Sequence, residues 1–235
     1  MTYPRIFNTG WTFFEDWTAQ DALTDAVLGK MKWELDTIGN ASTTTAGSVD
    51  GETYLRDTTA GTADGDGESY SLRDDSITLN GDGGDFAFTA RIPDVAGNAV
   101  AGNNARIGLN AVVTSGDPVV GLWVDIDGGL VTLQADSANG DLAATANHPL
   151  LTSTTTMVLG TKYNFEVRWH GQNANNGPQQ ADLYIDGHWA ASIAGVLIGN
   201  TETMEPKFVH YQDTGGAATL EFDLFGFEGA SYRAK

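Results

Sequence analysis

The sequence predicts an all-β protein, a two-sheet antiparallel jelly-roll sandwich with one short N-terminal helix. Three observations predict it: apolar and polar residues alternate along many short runs, Asp-Gly turns separate two pairs of these runs, and only one segment has helical spacing. A period of two buries one face of each strand and leaves the other in water, which is typical of antiparallel sheets. The 235 residues contain no fixed-period repeat and no dividing linker. We therefore expect a single domain over residues 1–235, in which residues 1–30 form a contact or cover segment.

The helix is predicted inside that N-terminal segment. Thr18 stands three residues before Asp21, as in a partial capping box. Leu23 and Val27 are one helical turn apart, and Gly29 suits the position that ends a helix.

The strands follow as alternating runs. Residues 41–63 are rich in Thr, Gly and Asp, and we expect a loop there with a short strand around Thr53–Arg56. Further strands are expected at residues 85–92, 107–113, 120–126, 131–135, 163–169, 183–185, 189–193 and 220–227. Tight turns are expected at Asp127-Gly128-Gly129 and at Asp186-Gly187, because Gly and Asp tolerate positive φ.

The composition excludes several classes of function. Lys and Arg number 12 against 31 Asp and Glu, so the formal net charge is −19, which repels nucleic-acid phosphates and anionic membrane surfaces. No run of ~18 apolar residues could span a bilayer. Without cysteine there is no disulfide, thiolate metal site or cysteine nucleophile. Residues 1–5 do not begin a secretory signal, so we expect synthesis and assembly in a cytoplasm.

Four stretches carry a resemblance to a known fold family. They are the alternating run Tyr163–Trp169, the run Ala181–Ala190 with its Asp-Gly turn, the closing run Leu220–Phe227 and the opening Phe13–Trp17. Together they resemble the concanavalin A-like lectin/glucanase jelly roll, which laminin-G-like modules share, in the form found in structural virion proteins of tailed phages. The resemblance covers most of the chain, up to Gly229. It implies the jelly-roll fold and a role in sugar binding, glycan hydrolysis or virion structure.

Glycan hydrolysis needs two carboxylates on either side of the scissile bond. The resemblance implies that they lie on one strand, in the pattern Glu-x-Asp-x-x-Glu or a variant one residue longer. Glu221 and Asp223 begin that motif, but Gly226 and Phe227 stand where its third carboxylate belongs. We therefore predict that the protein is not an enzyme and assign no catalytic residue.

An acidic, glycine-rich turn is a candidate calcium site. Asp64, Asp66 and Glu68 place oxygens at alternate positions, and Asp75 stands at the twelfth position, as in an EF-hand loop. Ser69 occupies the position where that loop needs Gly. The resemblance also suggests calcium, which shapes the sugar loop of lectins with this fold. Two interpretations stay open: Ca²⁺ at Asp64, Asp66 and Glu68, or a solvated acidic turn and no cofactor.

Aromatic residues are candidates for contacts with ligands and partners, because sugars stack on exposed Trp and Tyr rings. The candidates for glycan binding lie beside turns or on the more polar sides of strands: Trp189, Tyr184 and Trp123. The candidates for contact with a partner protein form an N-terminal aromatic group: Trp11, Phe13, Phe14 and Trp17. Burial in the core or between strands is the alternative for each of them.

The preferred function is that of a non-enzymatic phage virion structural protein, either a capsid decoration protein or a fibre component. It would be assembled in the host cytoplasm and located on the virion, with partners such as the major capsid protein. A symmetric shell favours a symmetric homo-oligomer. The alternative is a glycan-binding, lectin-like module that recognises host-surface glycans, and a glycoside hydrolase is a weaker third. Neither nucleic acid nor a membrane is expected as a partner.

Overall fold

The computed structural model describes residues 11–15, 27–28, 33–40, 42–49, 52–61, 65–72, 77–79, 83–111, 118–137, 140–174, 176–195, 198–199, 201–213 and 216–229. The strands of the first half are β1 (Trp11–Glu15), β2 (Val27–Leu28), β3 (Trp33–Ile38), β4 (Thr43–Val49), β5 (Glu52–Thr58), β6 (Gly67–Ser71), β7 (Ile77–Thr78), β8 (Gly84–Arg91) and β9 (Asn104–Ala111). Those of the second half are β10 (Val120–Asp127), β11 (Leu130–Asp136), β12 (Leu142–Thr145), β13 (Lys162–Gln172), β14 (Pro178–Ile185), β15 (His188–Ala194), β16 (Thr203–Tyr211) and β17 (Thr219–Gly229). A 3-10 turn, Val100–Gly102, precedes β9.

These strands form two antiparallel sheets, which confirms the predicted all-β sandwich. The eight-stranded sheet has the order β15-β14-β13-β8-β17-β5-β4, and β1 also pairs with β17. The nine-stranded sheet has the order β12-β11-β10-β9-β16-β6-β3-β2, and β7 also pairs with β16. No helix in the described ranges is long and apolar enough to cross a membrane.

The predicted period of two is clearest in β13. Its inward side chains are at most 2 % exposed: Tyr163, Phe165, Val167 and Trp169. Its outward side chains are half-buried or exposed: Asn164, Glu166, Arg168 and His170. The alternation thus directs one face of the strand to the core and the other to the surface.

Aromatic rings fill the space between the sheets. Phe88 stacks on Phe165 within the eight-stranded sheet, with ring centroids 4.9 Å apart. Phe208 of β16 stacks on Tyr70 at 4.4 Å and also meets Phe222 of β17 at 4.7 Å. Because β16 and β17 belong to different sheets, the contact between Phe208 and Phe222 joins the two layers.

Both predicted Asp-Gly turns are confirmed as two-residue hairpin loops. Gly128 and Gly129, between β10 and β11, have φ of +53° and +79°. Asp186 and Gly187, between β14 and β15, have φ of +48° and +80°. Positive φ at both central residues defines the turn that matches the twist of the flanking strands.

Two local predictions need correction. Residues 43–49 and 52–58 pair as strands β4 and β5 and are not mainly loop, because the β-branched threonines among them favour a strand. Val27 and Leu28, at the end of the predicted helix, form β2 and pair with Glu34 and Trp33. Pairing along a sheet edge outweighs the weak helical spacing there. The preceding residues of the predicted helix, 18–26, lie outside the described residues.

The core assignment gives a stability prediction. Phe165→Ala is expected to lower the free energy of unfolding by about 3–5 kcal/mol, because a buried ring is lost and a cavity remains. Chemical denaturation followed by tryptophan fluorescence measures the change. Val119 is 62 % exposed, so the control Val119→Ala should change stability by less than about 0.5 kcal/mol. Equal effects of the two substitutions would contradict the assigned core.

Candidate functional site

A polar row crosses the outer face of the nine-stranded sheet. Asn110 of β9 lies opposite Glu205 of β16 on one side and opposite Gly121 of β10 on the other. Gly121 in turn lies opposite Asp136 of β11. A Cβ at position 121 would stand 2.7 Å from the Cβ of Asn110, so glycine is needed at this point. Asn110 therefore packs directly against the Gly121 backbone, on the side away from Asp136.

Several hydrogen-bonding atoms on this face have no partner in the part of the chain that the structure describes. The side chain of Asn110 is fully buried, and neither its Nδ2 nor its Oδ1 has a partner among the described residues. Trp123, two residues beyond Gly121 on β10, is 1 % exposed, and within the same ranges its indole Nε1 has no acceptor. A buried polar group left unpaired costs about 1–3 kcal/mol. Such groups are concentrated where water, an ion or a ligand binds.

A pocket of about 140 Å³ opens next to Trp123. Its lining comes from β10, β11 and β12: Trp123, Gln134, Ala135, Asp136, Asp141, Leu142 and Ala143. Asp141 is exposed and Gln134 is half-buried. Carboxylates accept hydrogen bonds, the glutamine amide both donates and accepts, and the indole N–H donates. The pocket can therefore bind a small molecule that presents several hydroxyl groups.

Two ion pairs and a tyrosine continue the same face toward the far ends of β9 and β16. Arg106 Nε lies 3.3 Å from Asp125 Oδ1, and Lys207 Nζ lies 3.0 Å from Glu205 Oε1. The Arg106 guanidinium stands 5.2 Å from the centre of the Tyr211 ring. Burial raises the pKa of Tyr211 to about 12, although the charge of Arg106 acts to lower it. The phenol therefore keeps its proton at neutral pH and is a hydrogen-bond donor, and its raised pKa makes it a weaker acid than an exposed tyrosine.

The outer face of the eight-stranded sheet carries an exposed aromatic pair. Trp189 of β15 is 58 % exposed and lies opposite Tyr184 of β14. The Arg168 guanidinium stands 4.4 Å from the centre of the Tyr184 ring. Glu166 holds Arg168 through two hydrogen bonds of 2.6 and 2.9 Å, which raise the pKa of the Arg168 guanidinium.

A polar ladder continues from this aromatic pair along β14. Asp182 accepts hydrogen bonds from Gln180 at 3.1 Å and pairs with His170 Nε2 at 3.0 Å. Gln180 also donates to Ser192 Oγ at 3.3 Å. Burial acts to raise the pKa of Asp182, but hydrogen bonds from Ser192, Gln180 and His170 outweigh it and lower that pKa.

The three aromatic residues predicted to bind glycans thus lie on two different faces. Trp189 and Tyr184 are brought together on the eight-stranded sheet, whereas Trp123 is buried on the outer side of the nine-stranded sheet. Among the residues predicted to contact a partner, Trp11, Phe13 and Phe14 lie in β1, which pairs with β17, and Trp17 lies outside the described residues. Both roles stay predictions.

The predicted calcium site falls partly outside the described residues, because Asp64 is not among them. Asp66 and Glu68 are 1 % and 3 % exposed, so the interpretation as a solvated acidic turn is wrong for both. Asp66 Oδ1 accepts hydrogen bonds from the backbone and side-chain nitrogens of Asn40 at 2.9 and 3.0 Å. Over the described ranges, His, Asp and Glu side chains form no group of three that could hold a metal ion. Calcium stays a prediction.

The carboxylates that begin the glucanase motif are engaged in ion pairs. Glu221, 2 % exposed, contacts both Arg56 and Arg91. Asp223 Oδ2 lies 3.0 Å from Lys162 Nζ. Each carboxylate is therefore neutralised by the eight-stranded sheet itself.

Sequence reasoning missed a buried polar cluster between the sheets. His210 Nδ1 lies 2.5 Å from Asp57 Oδ2, and its Nε2 lies 3.2 Å from Asn103 Oδ1. Glu68 Oε2 nearby accepts hydrogen bonds from Thr44 at 2.6 Å and Tyr70 at 2.9 Å. A polar residue at an inward position of an alternating run could have indicated this cluster. Asp57 is such a residue, because it follows the inward Leu55 by two positions.

Comparison with known proteins supports the fold. No family model and no curated protein matches the chain. A protein of unknown function from Shewanella oneidensis MR-1 aligns with a TM-score of 0.61 and 14% identity, covering 98% of this chain and 92% of that one. The endo-β-1,4-glucuronan lyase of Trichoderma reesei gives 0.57 and 13%, covering 92% and 94%. The alginate lyase vAL-1 of Chlorella virus gives 0.56 and 12%, covering 84% and 93%.

These likenesses confirm a sandwich of the expected kind and correct one prediction. The incomplete glucanase motif predicted a protein that is not an enzyme. Two of the three structures are lyases with the same fold, so the loss of one hydrolase motif does not exclude catalysis. The prediction was wrong because it tested one reaction on a fold that supports several.

Burial of Glu68 gives a pH-dependent prediction. Burial raises the pKa of Glu68 above 4.5, and neighbouring hydrogen bonds only partly offset this. The folded state therefore takes up the proton before the unfolded state does, and wild-type stability rises relative to Glu68→Gln as pH falls from neutral toward 4.5. Urea titrations of both proteins across this range measure the difference. Asp36→Asn, at an exposed carboxylate of β3, is the control, and a Glu68→Gln difference that is constant with pH would contradict the assignment.

Proposed function

We propose that this protein binds a polysaccharide on the outer face of the nine-stranded sheet, with one sugar unit in the pocket beside Trp123. The observation that carries the proposal is the pocket itself, where Trp123, whose indole N–H has no acceptor among the described residues, lines the same cavity as Gln134 and Asp136. Sugar hydroxyls both donate and accept, so they can pair with the indole N–H, the glutamine amide and the carboxylates that line the cavity.

The pocket has the mixed character that sugar sites need. Trp123 provides an apolar ring, while Asp136, Asp141 and Gln134 provide polar groups at its rim. A volume of about 140 Å³ suits a single small ring and not a large ligand. The fold likeness to a glucuronan lyase and an alginate lyase supports a carbohydrate as the ligand class.

Substitutions in the pocket test the proposal. Asp141→Asn, at an exposed side chain, is expected to weaken polysaccharide binding about tenfold by weakening an acceptor of sugar hydroxyls. Trp123→Phe removes the indole N–H while keeping a ring, and it should weaken binding by a similar factor. Calorimetric titration against a panel of neutral and acidic polysaccharides measures both, and thermal melts verify that the variants fold.

The matched control is Asp94→Asn, since Asp94 is an exposed carboxylate in the loop after β8. It removes the same charge far from the pocket and should bind as the wild type does. Two results would contradict the proposal: the wild type binds no polysaccharide in the panel, or the pocket variants bind as tightly as the control.

A second candidate is polysaccharide elimination at the other end of the same face. In this reaction a base removes the proton beside a sugar carboxylate, the C–O bond to the leaving sugar breaks, and an acid protonates the leaving oxygen. We assign the base to the carboxylate of Asp125, which takes up the abstracted proton, and the acid to the phenol of Tyr211. Arg106, which lies 5.2 Å from the Tyr211 ring and 3.3 Å from Asp125, would orient the substrate carboxylate. The two lyase likenesses favour this reaction class.

Tyr211→Phe is expected to abolish lyase activity, because the ring remains but the proton donor is lost. Ultraviolet absorbance of the unsaturated product, formed from glucuronan or alginate, measures the reaction. Tyr54→Phe is the control, since Arg56 stands 5.2 Å from the Tyr54 ring on the opposite sheet. Full activity in Tyr211→Phe would eliminate the assignment, and absence of product from the wild type would eliminate the reaction.

The place of the protein on a tailed-phage particle stays a proposal that rests on the resemblance seen in the sequence. Mass spectrometry of purified particles tests it, and absence of the chain from the particle would overturn it.

A further inference from the structure

We propose that the outer face of the eight-stranded sheet carries a second glycan-binding surface, which takes neutral sugar rings and lets one molecule bridge two polysaccharide chains. We call this surface the aromatic platform and define it by Trp189, Tyr184, Arg168, Asp182 and Gln180. Binding at the platform does not depend on the pocket beside Trp123. Bridging does rest on that proposed function, because it needs both sites.

The first support is the exposure of Trp189. Its side chain is 58 % exposed, although indole rings are usually well buried in folded proteins. It lies in a strand, opposite Tyr184 on the neighbouring strand and beside a register shift between Leu183 and Tyr184, so its position is set by strand pairing and not by a loop. An exposed ring on a rigid strand is prepared to stack on a sugar without losing much conformational freedom.

The second support is the fixed geometry of Tyr184. The Arg168 guanidinium stands 4.4 Å from the centre of its ring, and Glu166 holds that guanidinium with two hydrogen bonds. Two neighbouring strands, β13 and β14, thus hold the Tyr184 ring, and β15 places Trp189 opposite it. The platform is ordered before any ligand arrives.

The third support is the row of polar groups next to the rings. Asp182 lies two residues from Tyr184 on β14, which places both side chains on the same face about 7 Å apart. Gln180, one further step along, donates to Asp182 and to Ser192 at 3.1 and 3.3 Å. A carboxylate, an amide and a hydroxyl in a line beside aromatic rings form the arrangement that binds sugar hydroxyls.

Charge decides the class of glycan. The Arg168 charge is already compensated by Glu166. The platform therefore offers no uncompensated positive charge to a polyanionic glycan such as a polyuronate, and its own carboxylate, Asp182, disfavours one. A neutral sugar loses nothing to this charge and keeps the stacking and hydroxyl contacts. A protein partner is disfavoured, because the other described side chains that define the platform beside the two rings are polar or charged and form no apolar patch: Arg168, Asp182 and Gln180.

Bridging follows from the sandwich. The two sheets bury their inner faces against each other, so the platform and the pocket beside Trp123 point in opposite directions. A protein with two sites that one glycan chain cannot reach together binds two chains instead. Mixing with a soluble neutral polysaccharide should therefore produce turbidity at a protein-to-polymer optimum.

The experiment compares the wild type with Trp189→Ala, Trp189→Phe and the control Val119→Ala. The probes are soluble neutral polysaccharides (a β-glucan, a xylan and a mannan), and alginate serves as the polyanion. Trp189→Ala is expected to lose about tenfold in affinity at the platform, and Trp189→Phe should be intermediate because it keeps a smaller ring. Added salt should leave this affinity unchanged, as the ligand is neutral. Val119→Ala removes apolar area at a residue that is 62 % exposed and should bind normally.

The platform would be overturned if Trp189→Ala bound every neutral polysaccharide as tightly as the wild type does. It would also be overturned if the wild type bound alginate more tightly than the neutral polysaccharides and if added salt weakened that binding. Asp141→Asn separates this proposal from the preceding one, because it affects only the pocket. Loss of affinity in Asp141→Asn but not in Trp189→Ala leaves the pocket and overturns the platform; the reverse result leaves the platform and overturns the pocket. Turbidity that survives in either single variant would overturn bridging.

Discussion

The contact between Phe208 and Phe222, with ring centroids 4.7 Å apart, joins the inner faces of the two sheets. The positions of the outward side chains depend on this contact, because side chains alternate between the two faces of a β-strand. Once inward positions are committed to the core, every second residue must face outward. That rule directs Trp123 of β10 to one surface of the sandwich and Tyr184 of β14 to the opposite surface. The arrangement of both candidate sites is therefore a consequence of how the core is filled.

Local features were predictable and distant pairings were not. The turn at Asp186 and Gly187 could be read from two adjacent residues, because its φ preferences are properties of those residues alone. The buried pair Asp57 and His210 lies 153 positions apart in the chain, and it depends on the order of strands in both sheets. The alternation of residues within one strand does not indicate the order in which the strands pair.

The candidate sites show the same division. Trp189 and Tyr184 were both predicted to contact a glycan. Only a tight Asp-Gly turn separates their strands, so the sequence also indicates that the two residues lie close together. Asn110 was missed because a polar residue at an outward strand position normally faces water. Its complete burial is a property of the folded chain and not of the local sequence. Glu68 was misread for the opposite reason: its glycine-rich surroundings suggested a solvated turn, but the following residues pair as β6.

The unpartnered amide of Asn110 has a consequence for attempts to engineer the protein. An apolar side chain of similar size at that position would remove a buried group with unmet hydrogen bonds, so selection for heat resistance alone would favour it. The same change would remove the amide that stands between Glu205 and Gly121 in the polar row, and this row ends at Asp136 of the pocket. Variants chosen by melting temperature should thus lose polarity at this position first, so selection for stability alone would alter the row that borders the pocket.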